Sequence, residues 1–307
     1  MNKLKYLPLL VATLLASCLP TTQTDPLIVT TLFPQYSLTR SLAGDLIDVV
    51  FLLPPGADSH DYEPTPTQQI QLNRAEIVFY TSHEFEPWMD ALEETATGSL
   101  IDLSSVVVLK DVEEEANHSH LRPFFALDDH DHEVDPHYWL DPMNSLLMLE
   151  AIETALITLL PEHSLLIQSR KVLLQEAFED IVELYEGLVP ANQELEIVFA
   201  GHNAFGYWEP YDIHVLTPYP GFSSDVVPTA QSVIDFQNLM TSLASQTLYI
   251  SSTDNQAVID ALLENNPNIK TAILSTLENI SQMQREEGIT YQELMLLNYE
   301  ALSLNEN

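Results

Sequence analysis

From Leu27 onward, short apolar runs alternate with segments whose apolar residues recur at helical spacing. Residues 27–31, Leu-Ile-Val-Thr-Thr, form a β-branched run; 36–43 read as helix; 47–53 are a second apolar run, stopped by Pro54-Pro55-Gly56. Residues 67–75 read as helix and Ile77-Val-Phe-Tyr80 as a third strand, with Ile101 and residues 106–109 as further strand. The stretch 144–188 is helical in character, broken at Pro161. Within it Leu166, Ile167, Val172, Leu173, Ala177, Ile181, Leu184 and Leu188 fit an apolar stripe along one long helix. Past Pro190 the alternation returns, with strands at 197–200, 248–250 and 271–274 and helices at 233–243, 257–263 and 291–302. Strands alternating with helices predict parallel sheets with helices on their faces. The expectation is an α/β protein of two lobes, residues 27–160 and 190–307, joined by a linking helix over 161–189.

Residues 111–135 break this rhythm. Acidic residues there surround His118, His120, His130 and His132, and the segment reads as a mobile loop.

Composition narrows the class. At 46% hydrophobic and 18% charged the chain is globular, and its 307 residues suit more than one core. The formal net charge of −36 excludes nucleic-acid binding, because a phosphate backbone would be repelled. The same field draws cations, although solubility accounts for most of it. At the N-terminus Lys3 and Lys5 precede an apolar run at 7–15, too short to span a bilayer. Leu15-Ala-Ser-Cys18 follows, small residues before the single cysteine, as in a bacterial lipobox. The reading is a signal peptide over 1–17, lipidation at Cys18, and a polar tether over 18–26. A single cysteine leaves no internal disulfide.

Three histidines sit in comparable places. His60 follows the apolar run ending at Leu53, His137 lies in Asp135-Pro-His-Tyr-Trp-Leu-Asp-Pro142, and His202 follows the strand at 197–200. Ligands collect at the carboxyl ends of strands in open α/β sheets. Neutral imidazole is the commonest metal ligand, so the three point to a transition-metal site. Each taken alone reads more readily as an ordinary polar or capping residue. His83, His163 and His214 carry no motif and read as structural or surface residues, and Trp88, Trp139 and Trp208 as core.

These segments resemble the metal-binding receptors of bacterial ABC importers, the ZnuA/TroA-like cluster A-I. That family's patterns G-x-x-x-H-x-Y-E-P-T, H-x-W-L-D-P and H-x-A-F-x-Y match residues 56–65, 137–142 and 202–207, in order. Phe85-Glu-Pro-Trp88 matches the segment after the family's third strand, and the likeness runs from about Leu27 to Leu302. The resemblance implies two Rossmann-like lobes with parallel sheets bridged by a rigid helix, and a metal held between them by His60, His137 and His202. It implies an exported, membrane-anchored lipoprotein, a monomer, that passes its metal to a permease and catalyses nothing. A histidine at 202, where manganese members often carry a carboxylate, points to Zn(II), with Mn(II) the alternative. Leu274-Ser-Thr-Leu-Glu278 resembles the L-N-P-L-E segment of zinc members, which implies Glu278 as the fourth ligand. The residues alone leave open that Glu278 caps a helix and water completes the site. Asn203, where aspartate is common, and Ser251-Ser252, where many relatives carry glutamate, leave the outer carboxylates in doubt. The loop histidines resemble a shortened histidine-rich loop, either a weak metal relay or a solvated acidic stretch. A surface adhesin is a second role attributed to such proteins. A zinc hydrolase is disfavoured, because no H-E-x-x-H is present.

Overall fold

A computed structural model describes residues 27–111, 134–219, 221–223, 227–264 and 266–303. Cys18, His118, His120, His130 and His132 lie outside the described residues.

The first half is built on a sheet of order β2-β1-β3-β4, made of Leu27–Thr30 (β1), Asp48–Phe51 (β2), Ile77–Tyr80 (β3) and Ser99–Asp102 (β4). All its pairings are parallel, and β3 is buried along its whole length, as suits a strand covered on both faces. Helices Phe33–Ala43 (α1), Pro66–Arg74 (α2) and Met89–Glu93 (α3) connect the strands. A short antiparallel pair, Lys110–Asp111 (β5) and Val134–Asp135 (β6), follows. The second half repeats the plan with order β10-β9-β7-β8, all parallel: Leu195–Phe199 (β7), Ile213–Leu216 (β8), Thr247–Ile250 (β9) and Lys270–Ile273 (β10). The two parallel sheets expected from the alternation are therefore present. β8 and α3 are elements that the sequence pattern did not single out.

Between the sheets lie Pro142–Leu159 (α4) and Ser164–Glu186 (α5), bent by 118° at the break that contains Pro161. Asp141 caps α4 by accepting from the Met143 N–H, with Pro142 in the first turn, where its missing N–H costs nothing. The buried face of α5 differs from the stripe read in the sequence. Ile167, Phe178, Ile181, Val182 and Tyr185 are buried, whereas Leu166, Val172 and Leu173 are exposed. The inward row runs 167, 171, 174, 178, 181, 185, and Lys171 stands in it because its ammonium reaches out to Gln175 Oε1 at 2.6 Å. Arg170 donates to the carbonyls of Leu42 and Ala43, both at 2.8 Å, and so closes the end of α1. The expected strand at 106–109 is absent. Asp102 Oδ1 accepts from Ser104 N at 2.8 Å and starts a 3₁₀ turn, Leu103–Val106, that ends β4; Val108 is left 86% exposed.

The helices Ala230–Ser242 (α6), Gln256–Glu264 (α7), Gln282–Glu287 (α8) and Tyr291–Ser303 (α9) complete the fold. One continuous buried cluster runs from Ile28 and Phe79 through Trp139, Phe178 and Tyr185 to Trp208, Tyr291 and Leu302. Helix α9 belongs to the second half by sequence but packs on α1 of the first half and on α5. Tyr291 N donates to Ser37 Oγ at 2.9 Å, and Tyr185 OH donates to Met295 O at 3.1 Å.

Candidate metal centre

Four side chains converge at the carboxyl ends of the strands, in the cleft between the sheets. His60 leaves the loop after β2, where Gly56, at φ +73, turns the chain and donates to Ile280 O at 3.1 Å. His137 follows β6, His202 follows β7, and Glu278 follows β10. One ligand atom from each of His60, His137, His202 and Glu278 lies within 4.8 Å of the other three. Glu278 Oε1 is 3.9, 3.6 and 3.5 Å from the Nε2 atoms of His60, His137 and His202. His202 Nε2 and His137 Nε2 are 3.1 Å apart. His60 Nε2 and Glu278 Oε1 are buried and have no hydrogen-bond partner. Buried polar atoms left unpaired are costly, so these two are groups shaped for something that binds between them.

Two corners of the cage share a device. In Asp58-Ser-His60 and Asp135-Pro-His137 the aspartate Oδ1 accepts the N–H of the histidine two residues later, at 3.0 and 2.9 Å. Asp135 Oδ1 also accepts from His137 Nδ1 at 2.8 Å, which turns Nε2 into the cage. His202 is built differently. Gly201 precedes it because a Cβ there would collide with Asp254 Oδ1 and the Phe199 ring. Glu278 is clamped to the first half twice: Ser59 Oγ donates to its Oε2 at 2.5 Å, and Phe33 N donates to its backbone carbonyl at 2.9 Å. Leu277, just before it, takes a left-handed φ of 63°, a conformation unusual for a branched residue and one that functional turns retain.

The electrostatics follow from this packing. Burial lowers the His60 pKa to about 4, against the pull of Glu278, so its ring is neutral at pH 7. Burial opposes charge on His137 as well, but the hydrogen bond to Asp135 and the neighbouring Glu278 carboxylate outweigh it and raise the pKa to about 9. Burial would raise Glu278, yet His137 and His202 hold it well below the usual carboxylate range. Without a cation, then, the His137 imidazolium neutralises Glu278. Asp254, raised to about 6 mainly by burial, stands near both His202 and Glu278. A cavity of ≈ 430 Å³ reaches the cage along its His202–Glu278 edge and is lined also by Asp58, Asp61 and Asp254.

The structure brings together all four residues singled out in the sequence. The helix-capping alternative for Glu278 fails, because Ser281 caps α8 by accepting from Gln284 N. Trp139 and Trp208 are core, as expected, but Trp139 also backs the site: its ring centroid is 5.2 Å from that of His137, and its Nε1 donates to Thr276 O at 2.9 Å. His83 is a surface residue held by Asp90 at 2.9 Å. Sequence reasoning missed Asp135, Ser59 and Phe85, whose ring centroid is 4.8 Å from that of His60. The repeated Asp-x-His spacing was the available signal for the first. The outer carboxylate doubted at Asn203 and Ser251 is supplied instead by Asp135, and Asp254 stands beside His202.

Residues 28–304 match the family described as zinc-uptake complex component A, periplasmic (ZnuA). The chain is 26% identical over 277 residues to the high-affinity zinc uptake system protein ZnuA of Bacillus subtilis, covering 90% of this chain and 86% of that protein. It is 27% identical over 287 residues to the zinc-binding lipoprotein AdcA of Streptococcus pneumoniae, 90% of this chain and 54% of that protein, and so spans about half of the longer relative. Among solved structures, the metal-dependent lipoprotein YcdH from Bacillus subtilis superposes with a TM-score of 0.74 at 23% identity, over 92% of this chain and 99% of that one. The laminin-binding protein Lmb of Streptococcus agalactiae, described as having adhesin and metal-transporting activity, gives 0.77 at 22% identity, over 92% and 100%. These likenesses establish the shared two-lobe architecture. With three histidines and a glutamate gathered between two parallel sheets, and a family match over nearly all the described residues, this chain belongs to the ZnuA family.

Proposed function

We propose that the protein is an extracytoplasmic receptor that captures Zn(II) through His60, His137, His202 and Glu278 and delivers it to an ABC permease. One observation carries this reading: three imidazole nitrogens and one carboxylate oxygen converge, and two of them are buried without a partner. Ligand atoms bound about 2.0–2.1 Å from a tetrahedral zinc lie about 3.3 Å from one another. The separations of 3.1, 3.5, 3.6 and 3.9 Å surround that value. Three imidazoles select zinc over the harder Mn(II), and a cage of four protein donors leaves no open position for hydrolytic water. The zinc-uptake and zinc-binding names of the relatives support the same metal and the transport role.

Lipidation at Cys18 belongs to this proposal, as does a monomeric receptor held at the membrane surface. So does metal capture by His118, His120, His130 and His132. The chain departs at Asp111 and returns at Val134, three residues before His137, so a relay would begin beside the cage. Deleting residues 112–133 is then expected to slow zinc capture and leave equilibrium affinity unchanged; unchanged capture kinetics would remove the relay.

The deciding experiment is metal analysis and competition titration of the full chain beside a His202→Ala variant. One tightly held zinc, lost or strongly weakened in the variant, is the expected result. Preference for manganese, or no tight metal, would overturn the zinc assignment.

A further inference from the structure

Glu86, in the Phe85-Glu-Pro-Trp88 motif after β3, is 3% exposed and takes no part in the cage. Its Oε2 accepts the N–H groups of Thr81 and Ser82 at 2.8 and 3.1 Å. Its Oε1 meets the Thr31 hydroxyl at the exit of β1. Among the described residues no cation pairs with it.

The protons available around it bear on its state. The Thr31 hydroxyl has one proton but faces two oxygens, Glu86 Oε1 and, at 3.0 Å, Gln35 Oε1. Gln35 Oε1 already accepts the N–H groups of Thr31 and Leu32, both at 3.0 Å, while Gln35 Nε2 donates to Thr81 Oγ1 at 3.0 Å. The amide orientation is thereby fixed, and its oxygen has no proton to give. A proton on Glu86 makes both contacts hydrogen bonds, Glu86 donating to Thr31 Oγ1 and Thr31 donating to Gln35 Oε1, and of these three groups only Glu86 can carry it. We infer that Glu86 is a neutral carboxylic acid donating to Thr31 Oγ1, and that in this form it is a positioning residue for the cation cage. Burial acts in the same direction and raises its pKa to about 7, against the lowering effect of the hydrogen bonds from Thr31, Thr81 and Ser82.

The network reaches two corners of the cage. The turn it closes at Thr31–Gln35 presents Phe33 N to the Glu278 carbonyl at 2.9 Å. The loop it closes at Thr81–Glu86 holds Phe85, through Ser82 Oγ at 3.1 Å, against the His60 ring. One shared proton thus sets a ligand from each half of the chain. The affinity part of this inference rests on the zinc-receptor reading; the protonation part does not.

The test combines infrared spectra with zinc competition titrations on the full chain, for wild type, Glu86→Gln, Glu86→Ala and Thr31→Val. The wild type should show a carboxylic-acid carbonyl band that Glu86→Gln removes. Glu86→Gln, which can donate and accept in the same places, should keep wild-type zinc affinity. Glu86→Ala should weaken zinc by about 10–100-fold, the scale of losing an outer partner of a metal ligand. Should Glu86→Ala fail to fold, Thr31→Val, which removes the bridging hydroxyl, is expected to weaken zinc in the same sense. The inference is overturned if no such band exists, if Glu86→Gln is as damaging as Glu86→Ala, or if Glu86→Ala and Thr31→Val both bind normally. A wild type that holds no zinc would instead overturn the receptor reading, and the infrared band would still decide the proton.

Discussion

His137 and His202 face each other across 3.1 Å but are built on different principles. His137 is fully buried, gripped twice by Asp135, and charged at neutral pH in the absence of a cation. His202 follows a glycine and borders the cavity. One corner is fixed in advance by its partners, and the other stands where a cation can arrive. A receptor needs both, because a preset geometry raises affinity while an accessible edge permits exchange.

The comparison breaks most sharply with His137→Ala. Dividing the roughly 10–16 kcal/mol of a four-ligand zinc site among its ligands gives about 3 kcal/mol, or more than a hundredfold in affinity. Competition titration would read the loss. Asp135→Asn leaves the ligand in place and removes its orienting charge, so zinc should weaken by about 10–100-fold. The pH dependence described next should flatten in the same variant. Ser59→Ala, which frees Glu278 Oε2, is expected to cost about tenfold, the worth of a hydrogen bond to a charged group.

The pH response sharpens the comparison without a mutation. Zinc must displace the proton held by His137, so roughly one proton should leave per zinc bound at pH 7, read by calorimetry in buffers of different ionisation heat. Zinc affinity should therefore rise with pH until about 9. The metal-free protein should behave oppositely. A folded-state pKa raised from 6.5 to about 9 gives His137 a stabilising contribution that is complete below pH 6.5 and disappears as pH climbs through about 9. Thermal unfolding of the metal-free and zinc-loaded forms across that window would show the two trends diverge. Parallel curves would mean that His137 is not the titrating corner.

Much of this site was legible in the sequence for a physical reason. Ligands at strand exits are short-range features: an apolar run, a stop, then a histidine. The alternation of β-branched runs and helical spacing likewise gave both sheets, because parallel strands are buried on both faces. What stayed hidden depends on distant partners. The Glu278 clamp needs Ser59 and Phe33, more than two hundred positions away. The inward face of α5 was misread because Lys171 interrupts its apolar row. Residues 106–109 look like a strand until Asp102 turns the backbone just before them. Asp58-x-His60 and Asp135-x-His137 show the same spacing twice, but its meaning lies in a backbone turn that hydrophobic patterning does not reveal.

The clamp on Glu278 also bears on when the chain can first hold a metal. Synthesis runs from the first residue to the last, so a growing chain that has passed His202 still lacks its fourth donor and the counter-charge of His137. Phe33, Ser59 and Trp139 wait for partners at Glu278 and Thr276 that are made much later. Metal binding therefore waits for Glu278, and a chain arrested before it has no finished cage in which to hold a cation.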